Sequence, residues 1–205
     1  MKLATPQPVV FIVDDDESIR TLWRWLMESN GLAVQVFGSA SEFIEAYRED
    51  TPGCLVLDLR LPGMTGLELQ EHLAQKGILI PIVFVSGHGD VATAVSALKA
   101  GAIDFVQKPF SYRDVLAIVK KALQKDTDIR ARRSLRAQVA DRLAQLTERE
   151  HQVLRCVIDG KPNKIIAAEL EISMKTLEFH RSKVMEKMGA ASLAELVHIA
   201  MQHSE

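Results

Sequence analysis

The stretch VVFIVDDDESIR, residues 9–20, runs five apolar residues straight into Asp14, Asp15, Asp16 and Glu17. A short apolar, β-branched run bounded by polar residues reads as a buried strand. Carboxylates crowded at a strand end repel one another, which costs free energy. Asp16 and Glu17 are assigned to the start of the following helix, whose first turn favours negative charge. Asp14 and Asp15 require another partner.

Four more strand-like runs follow: AVQVF, CLVLDL, PIVFVS and AIDFVQ. They alternate with segments of helical period at 18–30, 39–49, 66–75, 90–100 and from 111 onward. The tetrads SASE (39–42) and TGLE (65–68) fit the capping box. Gly31, Gly77 and Gly101 stand where helices should stop. Five strand–helix units with strands apolar on both faces predict a parallel sheet covered on both sides. Such a sheet places its working crevice beyond the C-terminal ends of the strands.

Those ends present a specific set of groups. The first strand ends at Asp14 and Asp15, the third at Asp58, the fourth at Ser86, and the fifth runs into Lys108 and Pro109. Facing carboxylates favour a hard divalent cation, and Mg²⁺ suits oxygen ligands plus water. A neighbouring lysine and hydroxyl complete an anion-binding corner. On this reading the acidic cluster is a metal site.

From Tyr112 the helical period continues through Leu116, Val119, Leu123, Leu135, Val139 and Leu143 without Pro or Gly. It predicts one long helix over 112–145, or two nearly joined with a break near 126–128. Short helices follow. TERE (147–150) is a capping box and Gly160 closes that helix. A second helix covers 163–170, a third follows Ser173 and ends at Gly189, and SLAE (192–195) caps a fourth. The chain thus divides into 1–123, a helical connector over 124–142, and an all-α module over 143–205.

The chain has 205 residues with 47% hydrophobic content, ample for two cores. Cys54 and Cys156 sit far apart in apolar contexts and read as buried free thiols of a reducing, cytoplasmic setting. No basic start with an apolar run marks a signal peptide, and no apolar run approaches membrane-spanning length. The net charge of −2 hides a gradient. Residues 1–119 carry 9 Lys+Arg and 15 Asp+Glu, residues 120–145 carry 8 and 3, and residues 146–205 carry 8 and 9. A basic connector therefore joins two acidic parts.

The first part resembles the receiver domain of two-component response regulators, through the acidic pair in IVDDDES, Asp58 in LVLDLRLPGMTG, Ser86 in VFVSGHGD and Lys108 in DFVQKPF. The resemblance implies an α/β flavodoxin-like (βα)5 fold with Asp58 as phosphoryl acceptor. It implies Mg²⁺ (or Mn²⁺) held by Asp15 and Asp58, with Asp14 acting through water and the Arg60 carbonyl completing the shell. Ser86 and Lys108 would bind phosphoryl oxygens, and Phe105 stands where the family has its switch aromatic. Phosphoryl transfer asks for positioning and charge neutralisation, which this set supplies.

The third helix of the module carries Leu177, Val184 and Met188 on one face, where they should pack inward. Glu178, Phe179 and Ser182 lie opposite, where base edges could be met. Lys175, Thr176, His180 and Lys183 flank them, and Lys164 opens the preceding helix; these could reach phosphates. The segments LTERE, NKIIAAEL, SMKTLEFHRSKVMEKM and SLAELV resemble the LuxR-type helix-turn-helix of FixJ/NarL response regulators. The combined resemblance implies a transcriptional regulator that a sensor histidine kinase phosphorylates on Asp58, and that then forms a homodimer and binds double-stranded promoter DNA, with no membrane partner. The module's own net charge of −1 departs from the simple expectation for a DNA binder. The surface of residues 92–100 and the last strand is the expected receiver dimer face. His72, His88, His151, His198 and His203 show no metal spacing and read as surface or packing residues.

The rival from another class is a receiver-fold phosphatase or Mg²⁺-dependent hydrolase. It lacks a second carboxylate placed as general acid near Asp58 and leaves the helix-turn-helix unexplained. A protein-docking role for the four-helix module is the alternative to DNA binding.

Overall fold

The computed structural model describes residues 7–87 and 91–201. The expected helix start at Asp90, together with His88 and His203, lies outside the described residues. The chain divides into two compact units between Arg130 and Ala131.

In the first unit, β1 (Val9–Val13), β2 (Ala33–Phe37), β3 (Gly53–Asp58), β4 (Ile82–Ser86) and β5 (Asp104–Gln107) form one sheet in the order β2-β1-β3-β4-β5. All the pairings are parallel. Successive side chains of a strand point to opposite faces, so each central strand feeds two cores. Phe11, Val13, Leu55, Leu57 and Phe84 pack with α2 (Ala40–Ala46), α3 (Gly66–Gln75) and α4 (Val91–Lys99) through Phe43, Leu69 and Ala97. Val10, Ile12, Val56 and Val83 pack on the other face with α1 (Glu17–Ser29) and α5 (Tyr112–Ala144), through Trp23, Met27, Val115 and Val119. This is why the central strands read as unbroken apolar runs. Strand order reverses between β1 and β3, which puts Asp14 and Asp58 at the switch point, where such sheets bind ligands.

Local signals explain most element ends. The Asp16 carboxylate caps α1 by accepting the Ser18 and Ile19 amides at 2.8 and 3.4 Å. Thr65 and Glu68 cap one another's amides at the start of α3. Gly31 and Gly77 leave helices with φ of 73° and 70°, a region that only glycine enters freely.

Two expectations need correction. The box at Ser39 is half formed: the Ser39 hydroxyl accepts the Glu42 amide, but the Glu42 carboxylate takes the Gly38 amide instead. Helix α2 also stops at Ala46 rather than residue 49. Tyr47 turns extended, at φ −64° and ψ 137°, and its ring enters the core 5.4 Å from Phe11 and 5.2 Å from Phe43. The carbonyls that follow are claimed by a distant arginine. Arg130 donates to the carbonyls of Glu49, Asp50 and Thr51 at 3.1, 3.3 and 2.6 Å.

That arginine settles the connector. Asp126, only 3% exposed, accepts the Gly53 amide and the Arg130 Nε, both at 2.8 Å. Helix α5 is therefore continuous for 33 residues, and no break occurs at 126–128. Of the two acids in that stretch, Asp126 anchors the helix to the start of β3, while Asp128 accepts from Gln124 within the helix.

The second unit holds the end of α5 with α6 (Glu148–Ile158), α7 (Asn163–Glu169), α8 (Met174–Met188) and α9 (Leu193–Met201). Val139, Leu146, Val153, Ile166, Leu177 and Val184 lie in its core. Leu177, Val184 and Met188 face inward as their spacing required. Thr147 and Glu150 form a reciprocal capping box. Lys187 also reaches Glu150 at 2.7 Å, and this hydrogen bond, with the Thr147 amide, holds the carboxyl below the usual range despite burial. At Ser192 the box is again half formed, because Glu195 accepts the Ala191 amide.

Arg130→Ala should leave the buried Asp126 carboxylate with one donor. Breaking a buried pair costs roughly 3–5 kcal/mol, less where one partner is part-exposed, as Arg130 is here. Urea unfolding of the receiver unit should shift by about 2–3 kcal/mol. An unchanged midpoint would mean that the pair contributes no net stability.

Candidate functional site

Three strands deliver the charged corner. Asp14 leaves β1 and Asp58 ends β3, while Lys108 follows β5. The Lys108 ammonium lies 2.8 Å from Asp14 Oδ2 and 2.7 Å from Asp58 Oδ2. Each carboxylate uses its other oxygen on backbone. Asp14 Oδ1 accepts the Asp16 amide and Asp58 Oδ1 accepts the Arg60 amide, both at 3.0 Å. Arg20 donates to the Asp14 carbonyl at 2.7 Å and fixes the strand exit.

Charge is held here against its solvation. Burial pushes the Asp14 carboxyl up from its ordinary value, only partly countered by Lys108 and the Asp16 amide. Burial alone would lower Lys108, but its bonds to Asp14 and Asp58 outweigh that and leave it raised. The ammonium thus offsets the repulsion posed by the acidic run at β1.

The other expected residues fall around this trio. Asp15 and Arg60 are exposed, and Ser86 is buried at the end of β4. The Lys108 amide donates to the Ser86 carbonyl at 2.8 Å. Phe105 is part-buried on β5, stacked 6.4 Å from Phe84. Asp14, Asp58 and Lys108 are brought into contact. Among the described residues no group of three His, Cys, Asp or Glu side chains is preassembled for a metal. A Mg²⁺ site needs only one or two carboxylates with carbonyl and water oxygens, so an all-oxygen set around Asp14 and Asp58 fits that ion.

Gly66 is a site residue that the sequence reading passed over. A Cβ there would meet the Asp58 carbonyl oxygen at 2.3 Å, so only glycine lets α3 start this close to Asp58. Its signal was a glycine inside a capping box, where better helix formers are usual.

The second candidate surface is α8. Lys175, Thr176, Glu178, Phe179 and Ser182 are exposed, His180 and Lys183 are half-buried, and Lys164 is exposed on α7. Phe179 is 60% exposed with its ring edge-on to His180 at 5.7 Å. The Thr176 hydroxyl lies 2.8 Å from the Ser173 hydroxyl. Lys183 is not a free cation: it pairs with Glu186 at 2.7 Å, which raises its pKa. Such an exposed intrahelical pair is weak and yields readily to a phosphate. Arg181 was overlooked in the sequence. It donates to Asn163 Oδ1 at 2.8 Å and ties α8 to α7.

Comparison with known proteins places both units in families. The response regulator receiver domain family matches residues 10–120, and the luxR family of bacterial regulatory proteins matches residues 144–200. This pairing defines a two-component transcriptional regulator. The chain belongs to the response-regulator family, in the receiver plus LuxR-type arrangement.

Transcriptional regulatory protein FixJ of Azorhizobium caulinodans is 43% identical, over 94% of this chain and 91% of that one. TdiR of Thauera aromatica is 40% identical over 95% and 86%. Among solved structures, the response regulator StyR aligns with a TM-score of 0.85 at 45% identity, covering 96% and 99% of the two chains. Full-length FixJ from B. japonicum aligns at 0.60 with 38% identity, covering 98% of each.

Lys108 carries a pH signature. Its folded pKa is raised, so its stabilisation is complete below the ordinary value of about 10.4 and is lost as pH rises through the raised value. Asp14 acts at the other end, withdrawing stability as pH rises above about 3.9 because its raised pKa favours the neutral form. Unfolding midpoints should therefore fall more steeply above about pH 10 in the wild type than in Lys108→Met. Parallel profiles would remove Lys108 as the neutralising group.

Proposed function

We propose that the chain is a phosphorylation-dependent regulator of transcription, switched at Asp58. A sensor histidine kinase supplies the phosphoryl group, the receiver then dimerises, and the C-terminal module binds double-stranded promoter DNA. The observation that carries this reading is the Lys108 ammonium 2.7 Å from the Asp58 carboxylate, a fixed cation beside the acceptor oxygen.

In the transfer, an Asp58 carboxylate oxygen bonds to phosphorus while the donor's bond to phosphorus breaks and its electron pair leaves with the donor. The product is a mixed anhydride, labile enough for a reversible signal. Lys108 must then give up part of its contact with the carboxylates to meet the new phosphoryl oxygens, joined by the Ser86 hydroxyl. Asp14, Asp15, Asp58 and the Arg60 carbonyl are the residues that would hold Mg²⁺ or Mn²⁺. When bound, the ion neutralises charge between acceptor and phosphoryl group. The chain accepts a phosphoryl group and slowly releases it, rather than turning over an external substrate.

Phe105 is proposed to move inward as Ser86 shifts toward the phosphoryl group. Helix α4 supports the dimer face, since Val91, Val95 and Leu98 are 81%, 43% and 44% exposed. On α8, Glu178 and Ser182 are placed to read base edges, with Phe179 between them, while Lys164, Lys175, Thr176, His180 and Lys183 meet the backbone. No described helix is long and apolar enough to cross a membrane. A cytoplasmic setting is part of the proposal, supported by the two buried free thiols.

Acetyl phosphate with Mg²⁺ should add one phosphoryl group, on Asp58, and Asp58→Asn should accept none. Sedimentation with beryllofluoride in place of the phosphoryl group should double the mass. Mass-spectrometric phosphate on another residue would overturn the site. A chain that stays monomeric with the mimic yet binds DNA tightly would replace dimerisation with relief of interdomain inhibition.

A further inference from the structure

The exposed turns of α5 that open the second unit carry two arginines, Arg132 and Arg136, that the fold does not use. Residues 131–138 are all exposed, and 129–140 contain four arginines and no acid. Arg130 is spent on the carbonyls of the receiver. Among the described residues, Arg132 and Arg136 make no hydrogen bond or ion pair. A merely solvated helix face mixes both signs of charge.

Their position on the helix is specific. Val139 is 1% exposed in the core of the C-terminal unit, and Leu143 packs against the same core. Arg132, Arg136, Val139 and Leu143 follow one another at spacings of 4, 3 and 4, which places them on one helix face. The arginines therefore extend the face that α5 turns toward its own module. Arg142 donates to the Met188 carbonyl at 2.8 Å, and Lys187 donates to the Gln145 carbonyl at 3.1 Å. Both bonds fasten the end of α5 to the C-terminal end of α8. Arg136 lies six residues before Arg142, or about 9 Å along the helix.

We propose that Arg132 and Arg136 form a second, sequence-independent contact with DNA, their guanidinium groups binding phosphates beside the site that α8 reads. This rests on the reading of the module as the DNA binder. The ends of a helix lying in the major groove approach the phosphate backbones, and α5 is fastened at one such end. A duplex carries one negative charge per about 1.7 Å, while residues 146–205 hold 8 basic and 9 acidic residues. Arginines at 132 and 136 supply the charge that the four short helices lack. A second copy of the helix is the wrong partner for this face, because pairing would set like charges against one another.

The test uses the full chain with Mg²⁺ and beryllofluoride in place of the phosphoryl group, and the duplex that the wild type selects from a random-sequence pool under those conditions. Binding is measured across a salt series. Each phosphate neutralised contributes about 0.9 to the slope of log K against log salt. The double variant Arg132→Gln/Arg136→Gln should flatten that slope by about 1.8 for each copy bound and leave base preference unchanged, and Arg132→Lys/Arg136→Lys should restore it. Glutamine is a good helix former, so α5 should persist, as circular dichroism can check. A wild type that binds no DNA would overturn the module's reading and this inference with it. A wild type that binds, with the glutamine variant keeping its slope, would overturn this inference alone. If that variant also lost transcription activation, the arginines would belong to an acidic protein partner instead.

Discussion

Two carboxylates that the sheet forces together need one cation between them, and Lys108 is that cation. Parallel strands bring all their C-terminal ends to one edge, and the order of this sheet makes β1 and β3 neighbours. Asp14 and Asp58 therefore meet whether or not their charges favour it. Lys108 comes from beyond β5, across β4, and the residues it crosses are small: Ser86 and Gly87. A Cβ on Gly87 would lie 3.9 Å from the Lys108 Cβ, so the lysine passes close by. The ammonium both permits the acidic corner and supplies the positive charge that a phosphoryl acceptor needs beside it. Any event that adds negative charge to Asp58 must redistribute the contacts of Lys108, and Ser86, whose carbonyl accepts the Lys108 amide, is beside it on β4.

Helix α5 has a different task at each part of its length. Val115, Val119 and Ala122 cover one face of the sheet. Asp126 and Arg130 fasten the next turn to backbone at the start of β3, where a Cβ on Gly53 would strike the Val9 carbonyl oxygen. The boundary between the two units falls directly after Arg130. From Ala131 to Gln138 no side chain is buried, and Val139 re-enters a core, that of the second unit. The connector is a helix held at both ends by packing and hydrogen bonds, with an exposed basic stretch between.

The sheet was legible because its central strands are apolar on both faces, and the caps were legible because Asp16, Thr65 and Thr147 use short-range chemistry. The charged corner was legible as a set of strand-end residues, since parallel topology fixes where strand ends go. What could not be read were contacts joining distant segments and the choice among competing local partners. Asp126 looked like a helix breaker because its partners, the Gly53 amide and Arg130, meet it only in the fold. Helix α2 was read too long because Tyr47 leaves it for an aromatic cluster and the carbonyls beyond serve Arg130. The glutamates at 42 and 195 fit a sequence pattern yet bond to the amide before the cap, a choice of one residue that no pattern encodes. Lys183 was read as a free phosphate contact because the pattern names its type, not its pairing with Glu186.

In the proposed mechanism, charge added at Asp58 is felt as DNA affinity in the other unit. The direct measurement is a pair of binding isotherms on one duplex at one salt concentration, before and after treatment with acetyl phosphate and Mg²⁺. Linking two modules makes the second contact intramolecular and raises avidity by about 10²–10⁴-fold. A shift of at least about 10²-fold, absent in Asp58→Asn, is predicted. Superimposable isotherms, with Asp58 shown to be phosphorylated, would contradict the account.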